Sequence, residues 1–193
     1  MAGDGASALR FCAAHAPDLV ILDLGLPDGD GKSVIGALRQ RSDVPIIVLS
    51  AHDQEAEKVD ALDLGANDFI TKPFGINELL ARIRVCLRSH RPDLTLDGRI
   101  CLGDIVIDPA AHRVEVRGVV KRLTPTEFEL LVLLAQHPGR VLTHRQILTK
   151  IWGPAHAADT QYLRVFIGQL RHKIEANPAE PTVILTEPGV GYR

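Results

Sequence analysis

The sequence predicts two joined portions of different class: an α/β portion built on a parallel sheet, then an α+β portion of antiparallel strands and three helices. Three observations predict this. Asp18–Leu24 and Val44–Ser50 are continuous apolar runs bounded by turn residues, the pattern of strands covered on both faces. Helical patterns lie between and around these runs, so strand and helix alternate as parallel connections require. Beyond Arg99 the texture changes to alternating runs followed by two helix starts with their own capping residues. The 193 residues, 46% hydrophobic, fit one large domain or two small ones with a packed core, since domains commonly run about 100 to 150 residues.

Taken in order, Ala6–Ala14 is the first helical pattern and precedes the Asp18–Leu24 strand. Ser33–Arg39, Glu55–Leu64 and Ile76–Leu87 are the next helices, separated by Val44–Ser50 and a shorter strand, Asp68–Thr71. Asp28–Gly31 resembles a calcium loop at a glance, yet lacks the further ligands and the glutamate that such a loop needs, so it reads as a turn. Ser89–Arg99 is polar and holds Pro92 and Gly98, which makes it a linker; the resulting limits are 1–90, a linker over 91–99, and 100–193.

Ile100–Ile107 and Arg113–Val119 alternate like antiparallel strands around the turn Asp108–Ala111. Thr124, Pro125 and Glu127 form a capping box with proline at the first helical position, and this helix stops at His137-Pro138-Gly139. Thr143 caps a second helix that runs through Trp152 to Gly153-Pro154, and a third runs from Asp159 to Glu175. A hairpin closes the chain, Thr182–Glu187 turning at Pro188-Gly189 into Val190–Tyr192. Three helices with a closing hairpin describe a winged helix-turn-helix.

Composition excludes several classes. No apolar run approaches the roughly 18 residues of a membrane helix, and the start lacks the layout of a signal peptide, so a cytoplasmic protein without membrane insertion is expected. Cys12, Cys86 and Cys101 are widely spaced, which indicates neither a disulfide frame nor a zinc site. The net charge of -2 hides an asymmetry: ten Lys/Arg stand against thirteen Asp/Glu up to Arg91, and twelve against eleven after it. Arg140–Lys173 holds six basic residues and one acid, Asp159, the footprint that phosphate contacts leave; on charge alone, a solvated helix face is the simpler account.

Asp23, Ser50 and Lys72 each end a strand of the first portion, where open α/β sheets place their chemistry. Singly they read as a strand-end cap, a helix cap and a solvated turn residue. Together, a carboxylate that attacks, a hydroxyl and ammonium that hold phosphoryl oxygens, and a divalent cation that neutralises charge would make a phosphoryl-acceptor site.

The runs LDLGLPDGDG, VPIIVLSA and GANDFITKPF resemble the last three strands of a receiver domain, and LTPTEFELLVLLAQHPGRVLTHRQILTKIWG with the ending GVGYR is similar to the winged-helix effector of OmpR/PhoB-type response regulators. Within that family, LDLGLPDGDG, KPFGINEL and WGP…YLR are most similar to its potassium-uptake regulators. The resemblance implies a flavodoxin-like, doubly wound receiver followed by the winged helix. It implies that Asp23 accepts a phosphoryl group from a sensor histidine kinase, that Ser50 and Lys72 contact that group, that Phe69 is the aromatic switch, and that Asp23 and the Gly25 carbonyl ligate Mg²⁺. It implies a homodimer in which Lys58 meets Glu78 and Asp68 meets Arg82 across the interface, while Asn67 replaces a usual acid. Exposed pairs of this kind contribute only about 0 to 1 kcal/mol each.

In the effector, the third helix would enter the major groove of double-stranded DNA, with Arg145, Gln161, Arg164, Gln169, Arg171, Lys173 and Arg193 as contacts. Tyr162, Leu163, Phe166, Leu170 and Ile174 recur at helical spacing and are expected to be mostly core, as is Trp152. Pro188 stands where some relatives place a minor-groove arginine.

One departure matters. A receiver has five strands, and only three are found here; Gly3–Ala6 resembles the turn before the second helix of that fold. The first strand, and the acidic pair at its end that would bind Mg²⁺, are not seen ahead of Asp18, which would leave Asp18–Leu24 as a bare edge. A start site placed too far downstream or a shortened chain, a degenerate receiver, and an edge completed by a partner chain each account for this. The expectation is weak Mg²⁺ binding and slow phosphorylation. The leading reading is therefore a phosphorylation-controlled transcription regulator and not an enzyme. A DNA-binding protein with a scaffold-type receiver remnant is one alternative. An aspartyl-nucleophile phosphotransfer enzyme is another, although such enzymes carry a second acid two residues after the nucleophile, where this chain has Gly25.

Overall fold

The computed structural model describes residues 1–51, 54–89 and 98–193. The linker expected over 91–99 therefore lies, up to residue 97, outside the described residues. Two compact units result, the first carrying the elements up to residue 89 and the second those from residue 100.

In the first unit, α1 (Gly5–His15) begins in a capping box: the Asp4 carboxylate accepts from the Ser7 N–H at 2.6 Å while the Asp4 N–H donates to the Ser7 hydroxyl at 3.3 Å. β1 (Val20–Asp23) follows, then a small hairpin of β2 (Gly25–Leu26) and β3 (Gly29–Asp30), then α2 (Gly31–Arg39). The Asp28–Gly31 turn works as two caps. Asp28 accepts the N–H groups of Gly5 and Ala6 at 2.8 and 3.1 Å, and Asp30 accepts that of Lys32 at 2.9 Å, so each carboxylate meets the free donors and positive end of a helix.

β4 (Ile46–Ser50), α3 (Glu55–Asp63), β5 (Asp68–Thr71) and α4 (Ile76–Ser89) complete the unit. The described strands form a parallel sheet in the order β1-β4-β5, with Asp23 opposite Leu49 and Ser50 opposite Thr71. β4 fulfils the expectation of burial on both faces, with Ile46, Ile47 and Val48 fully buried. β1 does not. Among the described residues it pairs only with β4, and Ile21 is 44% exposed while Leu22 is buried, so one face of this edge strand is covered and the other is open. α2 turns Val34, Ile35 and Leu38 inward, and Cys86 of α4 joins Ile47 and Ile70 in a small core.

The second unit opens with a four-stranded antiparallel sheet: β6 (Ile100–Leu102), β7 (Ile105–Asp108), β8 (Arg113–Val116) and β9 (Val119–Lys121), paired in chain order. Four short strands stand where the sequence suggests two long ones. The breaks are two-residue turns, Gly103-Asp104 and Arg117-Gly118, with φ of 56° at Gly103 and of 52° and 74° at Arg117 and Gly118. Backbone twist of that sense matches hairpins.

α5 (Pro125–Ala135) starts at the expected capping box and is buried almost all round. β10 (Leu142–Thr143) leads into α6 (His144–Trp152), capped by Thr143, and a 3₁₀ turn at Pro154–His156 connects to α7 (Thr160–Ile174). Leu163, Ile167, Leu170 and Ile174 are the buried stripe of α7, each three or four residues from the next. Trp152 and Phe166 pack against this core as expected, whereas Tyr162 is 49% exposed, its ring 5.4 Å from Trp152 and 5.0 Å from Phe166. The closing hairpin, β11 (Thr186–Glu187) and β12 (Gly191–Tyr192), is shorter than the sequence suggests, and β12 also pairs with β10. Gly191 is dictated by that pairing, since a β-carbon there would lie 1.9 Å from the Leu142 carbonyl oxygen.

Candidate functional site

Asp23, Ser50 and Lys72 stand at or just past the carboxyl ends of adjacent parallel strands. The Asp23 carboxylate holds the Lys72 ammonium with one oxygen and accepts the Gly25 N–H with the other at 3.1 Å. Both side chains remain partly open to solvent, 41% for Asp23 and 37% for Lys72. Burial by itself would raise the Asp23 carboxyl, but the hydrogen bonds from Lys72 and Gly25 and the charge of Lys72 outweigh it and hold the group below the ordinary carboxylate value. Ser50 is buried, its hydroxyl 3.3 Å from Glu57 Oε2, and its carbonyl accepts the Lys72 N–H at 2.7 Å. Gly31 lets the start of α2 press against this strand end: a β-carbon there would sit 2.7 Å from the Asp23 carbonyl oxygen.

The second unit presents a polar helix face. Gln161, Arg164, Val165, Gln169 and His172 are exposed along one side of α7, opposite its buried stripe. Arg145 is exposed on α6.

The family of the response regulator receiver domain matches residues 1–84, and that of the transcriptional regulatory protein C-terminal domain matches residues 118–193. The chain is 51% identical over 185 residues to the KDP operon transcriptional regulatory protein KdpE of Escherichia coli, covering 96% of this chain and 82% of that protein. It is 46% identical over 193 residues to the transcriptional regulatory protein KdpE of Mycobacterium tuberculosis, covering 100% of this chain and 85% of that one. The chain belongs to the OmpR/PhoB-type response regulators. It is also 42% identical over 191 residues to the DNA-binding response regulator MtrA of Mycolicibacterium smegmatis, covering 99% of this chain and 83% of that protein. It is thus a two-component response regulator with a receiver and a DNA-binding winged-helix domain.

The other receiver residues singled out in the sequence fall close together. Phe69 is buried in β5, with the Lys58 ammonium 5.7 Å from its ring centre. Arg82 of α4 grips buried Asp68 with two hydrogen bonds of 3.0 and 2.9 Å and also reaches Glu78 at 3.1 Å, so these charges are bridged within one chain. Receivers of this family generally bind Mg²⁺ at the phosphorylation site. The donor set here fits that ion poorly. Asp23 is already paired with an ammonium, and among the described residues no three His, Cys, Asp or Glu side chains converge to hold a metal.

Three of the expected DNA contacts in this response regulator are engaged inside the winged helix. Arg171 donates to the Ile184 carbonyl, Lys173 reaches buried Glu127 Oε2 at 2.5 Å, and Arg193 pairs with Glu187. The capping-box motif shows only half of what Glu127 does, because it also holds Lys173. Burial would raise its carboxyl, yet Lys173 and the Thr124 N–H and hydroxyl hold it below the usual range. Val165, 56% exposed, is not among the contacts the sequence suggests, and His172 belongs there only to the basic stretch, although their spacing from Gln161 and Arg164 places both on the same helix face.

Proposed function

We propose that a sensor histidine kinase phosphorylates this regulator on Asp23 and that the modification controls how its winged helix binds DNA. The observation that carries the reading is the Asp23 carboxylate, partly exposed at a strand end with an ammonium already on it. In the transfer, a carboxylate oxygen of Asp23 forms the new bond to phosphorus while the bond from phosphorus to the kinase's histidine nitrogen breaks. Lys72 and the Ser50 hydroxyl then hold phosphoryl oxygens, and Phe69 responds to the shift of Ser50. Were Mg²⁺ bound, Asp23 and the Gly25 carbonyl are the groups here that would hold it, weakly, and it would supply charge neutralisation.

We read residues 1–90 as the receiver, 91–99 as the linker and 100–193 as the DNA-binding domain of a cytoplasmic, non-enzymatic regulator. Among the described residues, no helix is long and apolar enough to cross a membrane. Homodimerisation would use α3, β5 and α4, with Lys58–Glu78 and Asp68–Arg82 exchanged across two copies. Ile76, Leu80 and Leu87 support this, because they leave an apolar stripe exposed along α4 at spacings of four and seven residues. α7 would enter the major groove through Gln161, Arg164 and Gln169, with Arg145, Arg171, Lys173 and Arg193 nearby.

Gel-shift titrations of wild type and Asp23→Ala, each with and without acetyl phosphate, test the reading. Tightening in the wild type alone is expected. Equal affinity in all four arms would favour the second reading, a DNA binder whose receiver part is a scaffold.

A further inference from the structure

Both main-chain groups of Ile184 are held by one turn of α7 and its cap. The carbonyl accepts from Nε and Nη2 of Arg171 at 3.1 and 2.6 Å, and the N–H donates to Glu175 Oε1 at 2.9 Å. Arg171 Nη2 continues to the Thr186 hydroxyl at 2.8 Å, and the guanidinium carbon lies 5.9 Å from the centre of the buried Tyr192 ring. Glu175 further accepts the N–H of Thr182 at 3.0 Å, the Thr182 hydroxyl at 3.4 Å and the N–H of Val183 at 3.0 Å. One cation and one anion, four residues apart, therefore grip the entry to β11 and the ring on β12. Immediately beyond, Leu185 and Arg193 exchange backbone hydrogen bonds of 2.8 and 3.0 Å, which close the hairpin.

The hairpin needs such an anchor. Its strands are two residues each, and an isolated hairpin is marginal in water even when longer. Charge-assisted hydrogen bonds are roughly twice as strong as neutral ones, and here they converge on a residue that is 2% exposed. Arg171 spends two of its three nitrogens on this contact, which leaves little of its fork for a phosphate.

We infer that Arg171 and Glu175 are positioning residues that clasp the wing to the recognition helix, so that β11–β12 and the exposed face of α7 meet DNA as one rigid element. Arg171 acts through the wing, and Glu175, an anion, supports DNA binding by the same route. Holding the hairpin in its bound orientation removes an ordering cost from association. The inference rests on α7 being the helix that enters the groove.

The test uses the full chain on a duplex selected from random sequence by the wild type, comparing Arg171→Ala, Glu175→Gln and the double variant. Affinity is measured against salt, and hydroxyl-radical footprints are recorded. Both single variants are expected to bind about tenfold more weakly, as loss of charged hydrogen bonds implies. The salt slope should stay near that of the wild type, and loss of protection should be confined to the footprint edge. The double variant should be no weaker than the weaker single. A salt slope reduced by about 0.9 in Arg171→Ala, the signature of one lost phosphate contact, overturns the inference. So does tighter binding by Glu175→Gln, which is what removal of a negative charge near DNA gives if no clasp exists. Should Arg171→Ala unfold, the isosteric Glu175→Gln carries the test. Arg164→Ala and Gln169→Ala serve as controls: unchanged affinity in both would overturn the placement of α7 itself, which the clasp variants leave untouched.

Discussion

Lys72 and Asp23 are forty-nine positions apart, yet their side chains meet at the receiver's strand ends. Because the folded Asp23 carboxyl is held below its ordinary value, the pair's contribution to stability is present above about pH 3.9 and is lost as pH falls through the folded value. The contribution is small, since both groups are partly exposed. An NMR titration of the Asp23 carboxyl is expected to show its midpoint rise in Lys72→Ala, where burial remains and the ammonium is gone. An unmoved midpoint would show that Lys72 does not govern the group. Glu127 follows the same sign with deeper burial, so its support of the second domain also fades in acid, below about pH 4.3. Glu127→Ala should cost roughly 2 kcal/mol in urea unfolding of that domain, through loss of the capping box and of the partner of Lys173. Asp23, Ser50 and Lys72 were legible because apolar runs reveal where buried strands end. The commitment of Lys173 was not, since its partner lies forty-six positions away.

Elements were legible where their signals are local. The capping boxes at Thr124 and Thr143 mark the starts of α5 and α6, because both bonds of each box lie within three residues. The four-stranded sheet was only half legible. Gly103-Asp104 and Arg117-Gly118 are short enough to pass within an alternating run, and the positive φ at Arg117 belongs to the folded turn and not to the residue's preference. Gly191 carries a prediction at this scale. Gly191→Ala drives a β-carbon into the Leu142 carbonyl and should detach β12 from β10, lowering the domain's stability by about 3 kcal/mol in thermal unfolding. A variant as stable as the wild type would mean that β10 yields without cost.

For the whole molecule, the near-neutral charge of -2 concealed an acidic receiver and a basic strip around α7, so the sum was never informative about DNA. The exposed stripe of α4 leads to an assembly prediction. Ile76→Glu with Leu80→Glu should abolish dimerisation driven by acetyl phosphate while leaving the monomer folded, because both side chains are already open to solvent at 64% and 47%. Sedimentation velocity with and without the phosphodonor reads this directly, and persistent dimers would move the interface elsewhere.

The strand ends that carry Asp23, Ser50 and Lys72, the caps of α5 and α6, the two-domain order and the family were determined by the sequence alone, since each rests on residues near one another or on runs long enough to be distinctive. What only the tertiary structure decided is which charged side chains are spent inside the fold. Arg171, Lys173 and Arg193 look identical to Arg164 in a count of basic residues. They differ because chain reversal carries a carbonyl at Ile184 to Arg171 and a carboxylate at Glu127 to Lys173, while the pairing of β11 with β12 brings Glu187 to Arg193, and a basic residue shows none of this in its own neighbourhood.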